Sequence, residues 1–423
     1  MQRKISVNFG NLLLSLSEVI DLANPELVQH QQRTAFIAWE IGKVSGLKDD
    51  TLEKIFIAAL LHDIGAITVE EKVAIHNFEG KDLESHCIRG EVLTQEVPQF
   101  KNISKIIRYH HKEWQTWDEP ISTPHVLNSQ IVLLADYVER LIDRKKYILH
   151  HEKEIVSKIS SLAGNIVHSS LVDCFNEISG IEEFWLDLVS PRLYPHLLHH
   201  GPYWNVEIDF DKISEIADVI RNIIDFKSRF TSAHSSRVAA GAEMLSRIFG
   251  LTGHEVKLMK LAGDFHDIGK LTVPNSILEK PDKLTKEEFA VMRCHTYHTY
   301  QVISSIGGIN HIAEWAAYHH EKMDGSGYPF HCKAEEISTG ARIMAVVDMF
   351  VAMAEDRPYR MGMKKEEIIK IISDSASNNK LDKKIVALLF ENYDEVISYV
   401  KEKQNLTDEF YRSKFAVIGK EQA

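Results

Sequence analysis

Cysteine is scarce in this chain: Cys87, Cys174, Cys294 and Cys332 are the four in 423 residues, and no two form a Cys-x-x-Cys pair. That argues against a disulfide framework and for free thiols in a reducing cytoplasm. Cys87 and Cys294 each adjoin a histidine, and both are expected to be buried as small hydrophobes. Long apolar runs are missing too. Stretches such as Ile131–Ala135 fall far short of the roughly 20 residues that span a bilayer. Leu12-Leu13-Leu14 is followed by no small-residue cleavage site, so no export signal is expected. Positive charge is also short. Lys and Arg total 49 against 61 Asp and Glu, a net charge of −12. That balance excludes a broad surface for a nucleic-acid polymer or an anionic membrane. A small phosphorylated ligand stays compatible, because a bound metal reverses the local field. Alternating apolar-polar runs are few, so no sheet is required anywhere.

What is present is helical and repeated. A chain of 423 residues is too long for one ordinary core, and two domains are expected. Val28, Phe36, Trp39 and Ile41 lie along one helical stripe, as do Leu52, Ile55, Phe56, Ala59 and Leu60. Ile213, Ile216, Ala217, Ile220, Ile223 and Ile224 make another, and plain core packing accounts for all three. His30-Gln31-Gln32-Arg33 reappears as His234-Ser235-Ser236-Arg237, and His62-Asp63-Ile64-Gly65 as His266-Asp267-Ile268-Gly269, at an identical offset. His110-His111 matches His319-His320, and Asp136 matches Asp348. The chain therefore reads as two similar all-α domains in tandem. Boundaries are expected at 1–150 for the first domain, 151–202 for a helical linker, 203–400 for the second domain and 401–423 for a polar tail. Pro191, Pro195, Gly201 and Pro202 break helices near the join, and His199-His200 reads as a surface turn.

The repeated residues carry chemistry. Two cations a few ångströms apart need a ligand that bridges them, which a carboxylate can do and an imidazole cannot. An adjacent His-Asp pair at a helix end supplies one terminal ligand and one bridge, and His266-Asp267 fits. His234 on an earlier helix and His295, His319, His320 and Asp348 on later ones complete a set pointing into a bundle. A lone helical histidine is more often structural, and His298, His311 and His331 are read so. The ordered set of seven is what carries weight.

The string His319-His320-Glu321-Lys322-Met323-Asp324-Gly325-Ser326-Gly327-Tyr328-Pro329 follows, with Lys270 after the His-Asp-Ile-Gly turn and Arg357-Pro358-Tyr359-Arg360 downstream of Asp348. This combination resembles the HD-GYP family of metal-dependent phosphodiesterases, most closely over residues 230–360, and specifically its tandem subgroup. The resemblance implies two helical HD bundles and cleavage of a cyclic dinucleotide, cyclic di-GMP or 3′,3′-cyclic GMP-AMP, to a linear 5′-phosphorylated product. It implies two divalent ions, iron or manganese, with His234, His266, Asp267 and Asp348 on one and Asp267, His295, His319 and His320 on the other. Asp267 and Lys270 would be catalytic, Lys270 facing the scissile phosphate. Gly325, Gly327, Tyr328 and Pro329 would shape the pocket, and Arg357 and Arg360 would grip phosphate or guanine, against the plainer reading of a surface salt bridge. Phe230 stands where relatives with a third metal carry glutamate, which favours two ions. A homodimer is compatible with the family pattern.

The first half keeps a ligand set, Glu26, His30, His62, Asp63, His86, His110, His111 and Asp136, as a possible second metal site. It lacks the lysine, since Ala66 follows Gly65, and His110-His111 leads into Lys112-Glu113-Trp114 rather than a Gly-Tyr-Pro loop. Regulation or structural support is expected there ahead of catalysis. Two rival functions stay open for the whole chain: a nucleotide phosphohydrolase of the wider HD superfamily, and a receptor that binds the dinucleotide without cutting it.

Overall fold

The computed structural model describes residues 5–22, 24, 27–80, 82–203, 206–227, 233–355 and 361–415. Glu26, Phe230, Arg357 and Arg360 lie outside them. Contacts divide the chain into two compact units, Val7–Ile208 and Asp209–Ala423, the latter taken with Met1–Ser6. Among the described residues the architecture is all-α apart from strands β1 (Ser6–Asn8) and β2 (Glu207–Asp209), which pair into a two-stranded sheet. Strands this short leave no alternating pattern, so their pairing is set by the surrounding fold.

In the first unit α1 (Phe9–Asp21) begins where the Asn8 side chain accepts the Asn11 N–H. It buries Leu12, Leu13, Leu16 and Val19. Then come α2 (His30–Val44), α3 (Asp49–Leu60), α4 (Val69–His76), α5 (Glu84–Gln95), α6 (Ser104–Tyr109) and α7 (Pro124–Arg140). Helix α2 runs through the middle, packed on α3 and α7. Pro124 opens α7, where its missing N–H costs nothing. Every fully covered Leu, Ile or Phe on these faces stabilises the unit by about 1.5–3 kcal/mol. Phe36, Trp39 and Ile41 are buried as expected, but Val28 is 42 % exposed because it precedes the helix instead of lying on it.

Residues 151–202, expected as a linker, fold against this same unit as α8 (Glu152–Ser160), α9 (Ser169–Ser179), α10 (Glu182–Leu188) and α11 (Leu193–His200). Their apolar faces, among them Ile159, Phe175, Trp185 and Leu197, are buried. Pro195 sits in the first turn of α11, where proline is tolerated, so His199 and His200 are exposed helical residues and not a turn.

The second unit repeats the plan with α12 (Phe210–Lys227), α13 (His234–Phe249), α14 (Gly253–Phe265), the short α15 (Asn275–Leu278), α16 (Lys286–Ile306), α17 (Asn310–Ala317), α18 (Thr339–Ala354), α19 (Lys365–Ser377), α20 (Lys383–Glu391) and α21 (Tyr393–Phe415). Helix α13 is central, against α14, α18 and α21. Residues 401–415 of the segment expected as a tail continue α21, the helix that packs on α13. Capping boxes, Thr252 with Glu255 and Thr285 with Glu288, fix where α14 and α16 begin. No helix among the described residues is long and apolar enough to cross a membrane.

Candidate metal centres

Both units place the repeated residues on matching elements. His234 opens α13, His266-Asp267 follow α14, His295 lies on α16, His319-His320 follow α17 and Asp348 lies on α18. In the first unit His30 opens α2, His62-Asp63 follow α3, His86 lies on α5, His110-His111 follow α6 and Asp136 lies on α7.

Each helix that brings the first histidine starts from a left-handed residue that is not glycine, Gln29 at φ 64° and Ala233 at φ 63°. Such a backbone costs on the order of 1–2 kcal/mol. A buried carboxylate from the preceding helix offsets it. Asp21 accepts the Gln31 N–H at 3.0 Å, and Asp225 accepts the Ser235 N–H at 3.0 Å. Burial raises Asp21 to about 8 and Asp225 to about 6. Sequence reading missed both aspartates, although they recur at the same offset as the histidines.

Glycine in the His-Asp-Ile-Gly turn has a steric reason. A Cβ on Gly269 would lie 1.9 Å from the His295 carbonyl oxygen, and one on Gly65 would lie 2.0 Å from that of His86. Only glycine lets the Asp267 turn press against the helix that carries the next histidine.

The imidazoles are oriented by their outer nitrogens. Nδ1 of His266, His295 and His319 meets the carbonyl oxygen three residues upstream, at 2.8, 2.7 and 2.6 Å. His62 and His110 do the same at 2.8 and 2.6 Å. A carbonyl only accepts, so Nδ1 carries the proton and Nε2 is a bare acceptor facing inward. The inner nitrogens face one another: His295 and His319 Nε2 are 3.3 Å apart, as are His86 and His110 and also His30 and His62, although at His30 burial is outweighed by the Glu139 and Asp63 carboxylates, which raise the pKa. Burial lowers His295 to about 3 and His319 to about 4, so neither carries a proton at neutral pH that would relieve the contact.

One carboxylate faces both groups of ligands. Asp267 Oδ2 lies 3.2 Å from His266 and 4.0 Å from His234, while Oδ1 lies 3.6 Å from His295 and 3.9 Å from His319. Asp63 repeats this, with Oδ2 at 3.5 and 3.4 Å from His30 and His62, and Oδ1 at 3.5 and 3.7 Å from His86 and His110. Asp348 Oδ1 lies 3.2 Å from His234, and its Oδ2 lies 3.9 Å from His320. Asp267 Oδ1 and His266 Nε2 are buried without a hydrogen-bond partner, as are Asp63 Oδ1, Asp136 Oδ1 and His111 Nε2. Converging lone pairs and orphaned oxygens are what divalent cations satisfy, so the donor sets fit metal in both units.

Two residues outside the expected set steer the first histidine. Glu355 lies 3.1 Å from His234 Nδ1 and 3.0 Å from Arg237. In the first unit Glu139 lies 2.5 Å from His30 Nδ1 and 3.7 Å from Arg33. Burial opposes charging His234, but Glu355 and Asp348 outweigh it and raise its pKa to about 10. The signal in the sequence was the arginine three residues after each first histidine. The glutamates stand at different distances from their aspartates, so the repeat concealed them.

Around the second centre the loop is tightly built. A Cβ on Gly327 would lie 2.4 Å from Glu321 Cα, and Gly325 adopts φ 77°. The buried Glu321 carboxylate accepts the N–H groups of Phe330, His331 and Cys332 at 2.7, 3.2 and 3.1 Å. Tyr328 lies against His320, ring centroids 5.0 Å apart. Burial, Asp348 and Asp267 raise the Tyr328 hydroxyl pKa. Lys270 Nζ is 2.5 Å from Asp267 Oδ2. The first unit differs. Ala66 is buried, and Arg140 donates to Asp136 Oδ2 at 2.9 Å. A cavity of about 330 Å³ there is lined by Glu84, Cys87, Arg108, Tyr109, His111 and Lys112. Cys87 is buried but is not merely a small hydrophobe, because its thiol meets the Leu83 carbonyl at 3.1 Å and His110 Nδ1 at 3.6 Å. Cys294 is exposed, since turning His295 inward leaves its neighbour on the outer face of α16.

HD-domain families match residues 27–141 and residues 218–385. 3′3′-cGAMP-specific phosphodiesterase 1 of Vibrio cholerae is 27% identical over 397 residues, 92% of this chain and 92% of that protein. This chain is a tandem HD-domain protein of the HD-GYP type. A cyclic di-GMP phosphodiesterase response regulator of Xanthomonas campestris is 38% identical over 141 residues, 32% of this chain and 37% of its own length. In overall fold the tandem HD chain is similar to the crystal structure of the cyclic GMP-AMP specific phosphodiesterase V-cGAP3 of V. cholerae. The TM-score is 0.65 at 22% identity, over 92% of this chain and 98% of that one.

Proposed function

We propose that the second HD unit hydrolyses a cyclic dinucleotide, 3′,3′-cyclic GMP-AMP or cyclic di-GMP, to the linear 5′-phosphorylated dinucleotide. The observation that carries this reading is the Asp267 carboxylate turned to both histidine groups beneath a loop that lays Tyr328 on His320. His234, His266, Asp267 and Asp348 would hold one divalent ion, and Asp267, His295, His319 and His320 a second, iron or manganese by their mixed imidazole and carboxylate donors. When bound, the ions supply Lewis acidity and a low-pKa water. The protein's own groups do the rest. Lys270, tethered to Asp267, places an ammonium where charge grows on the phosphoryl oxygens. Glu355 holds the His234 ring in one orientation. Glu321 holds the loop, so that Tyr328 and Pro329 form one wall of a fixed pocket.

The first HD unit keeps the donors but has Ala66 in place of the lysine, and Arg140 engages Asp136. We assign it a metal-bound regulatory or structural role. The test uses the full chain as wild type, Asp63→Ala and Asp267→Ala. Each is given 3′,3′-cyclic GMP-AMP and cyclic di-GMP with iron or manganese, and products are followed by chromatography. Asp267→Ala should abolish cleavage, and Asp63→Ala should leave a linear dinucleotide forming. Cleavage that survives Asp267→Ala and vanishes in Asp63→Ala would overturn the reading.

A further inference from the structure

We infer that Arg293 binds the substrate phosphate that is not being cut. This inference rests on the cyclic-dinucleotide reading and adds a residue to it. The two units set the register. Gly65 abuts the His86 carbonyl and Gly90 N on α5, and Gly269 abuts the His295 carbonyl and Thr299 N on α16. With His86 over His295, Glu84 falls on Arg293, Gly80 on Phe289 and Ile88 on Tyr297. In the first unit Glu84 lines the cavity that reaches His111, so this position faces the mouth of a metal centre. There the carboxylate is engaged by Arg108 at 2.5 Å.

In the second unit the sign of the charge is reversed and its partner is gone. Arg221, Arg237, Arg247 and Arg342 each meet a carboxylate. Arg293 meets none among the described residues, and its Nε is buried without a hydrogen-bond partner. Its guanidinium lies 5.6 Å from the Phe289 ring centroid. Phe289 packs edge-on to Tyr328 at 5.8 Å, and Tyr328 lies on His320. The aromatic contacts hold the cation beside the loop and leave its donors free. A cyclic dinucleotide carries two phosphates. Lys270 is tied to Asp267 and serves the one under attack; Arg357 and Arg360 lie outside the described residues, and Arg293 is a described cation beside the same loop that is left for the other phosphate. A planar guanidinium suits that bidentate contact.

The test uses the full-length chain with Arg293→Met, Arg293→Gln and Arg293→Lys, with metal content measured in each. Wild-type turnover on 3′,3′-cyclic GMP-AMP and cyclic di-GMP is measured first. Binding of the same dinucleotides to chelator-treated protein is measured alongside. Met and Gln should raise KM and weaken binding about 10- to 100-fold, the loss of one charge-assisted contact, with kcat within about threefold of wild type and metal unchanged. Lys should recover most of the affinity, because charge is what the phosphate requires. An active wild type with unaltered KM in Arg293→Met overturns the inference alone. Gln matching wild type, or Lys no better than Met, also overturns it. A wild type that neither binds nor cuts either dinucleotide sinks the proposed function and this inference together.

Discussion

Removing the Glu321 carboxylate should open the substrate loop while sparing the metal centre. Glu321 is 2 % exposed and accepts three successive backbone N–H groups, from Phe330, His331 and Cys332. Hydrogen bonds to a charged group are each worth about 1.5–3 kcal/mol net, and bonds sharing one acceptor group are not additive. Phe330 and Cys332 are half-buried and His331 is exposed, so part of the loss returns as hydration. Glu321→Ala is therefore expected to cost about 3–5 kcal/mol at the loop, and Glu321→Gln, which keeps one acceptor oxygen, about 1–2 kcal/mol. The centre itself should persist, because His319 is oriented by the Ala316 carbonyl and not by Glu321. Three measurements apply: metal content, KM and kcat on 3′,3′-cyclic GMP-AMP, and tryptic cleavage after Lys322 and Lys333 at either side of the loop. Metal near wild type, KM raised at least tenfold and faster cleavage at these lysines are expected in Glu321→Ala, with Gln between. Wild-type proteolysis and KM in the alanine variant would refute the role of the carboxylate as the loop's anchor.

Asp267→Ala should lose both activity and most metal of the second unit, whereas Lys270→Ala should lose activity and keep metal; two ions retained in Asp267→Ala would rule out a bridge. Gly269→Ala should destabilise the second unit by about 3 kcal/mol or more, read as a lowered melting temperature with metal loss, because its Cβ would meet the His295 carbonyl at 1.9 Å. Asp264 is buried against Lys260 at 2.7 Å and Arg221 at 2.8 Å; burial opposes its charge, but the two cations outweigh it and lower its pKa. A carboxyl depressed on folding contributes stability that is full above its unfolded pKa of about 3.9 and lost as pH falls through the folded value. Asp264→Asn should thus cost about 2–3 kcal/mol at pH 7, leaving the buried Arg221 with only the half-exposed Asp218 as its carboxylate partner, and the gap to wild type should narrow below about pH 4 in urea titrations. A gap that stays constant with pH would exclude the ion pair as its cause.

Much of the centre was legible because metal chemistry restricts residue type. Only His, Asp and a few others can ligate, so their order along the chain, and its recurrence from His30 to His234 and from His62 to His266, stood out against the apolar background. The all-α architecture was legible for a similar reason, since an amphipathic helix writes its period into stripes such as Ile213–Ile224. Other features had no such mark. Glu139 and Glu355 reach equivalent histidine nitrogens from non-equivalent positions, because a long flexible side chain can arrive from more than one turn of a helix. The shared role of Asp21 and Asp225 depends on where one helix ends beside the start of the next. The segment 151–202 looked like a connection because its prolines and glycines are punctuation in sequence, and only the buried faces of α8–α11 tie it to the first unit. The sequence by itself determined which atoms can bind metal and in what order they occur. The tertiary structure alone decided which nitrogen of each ring points inward, and which oxygen of Asp267 meets which histidine, because direction is a property of packing and not of residue type.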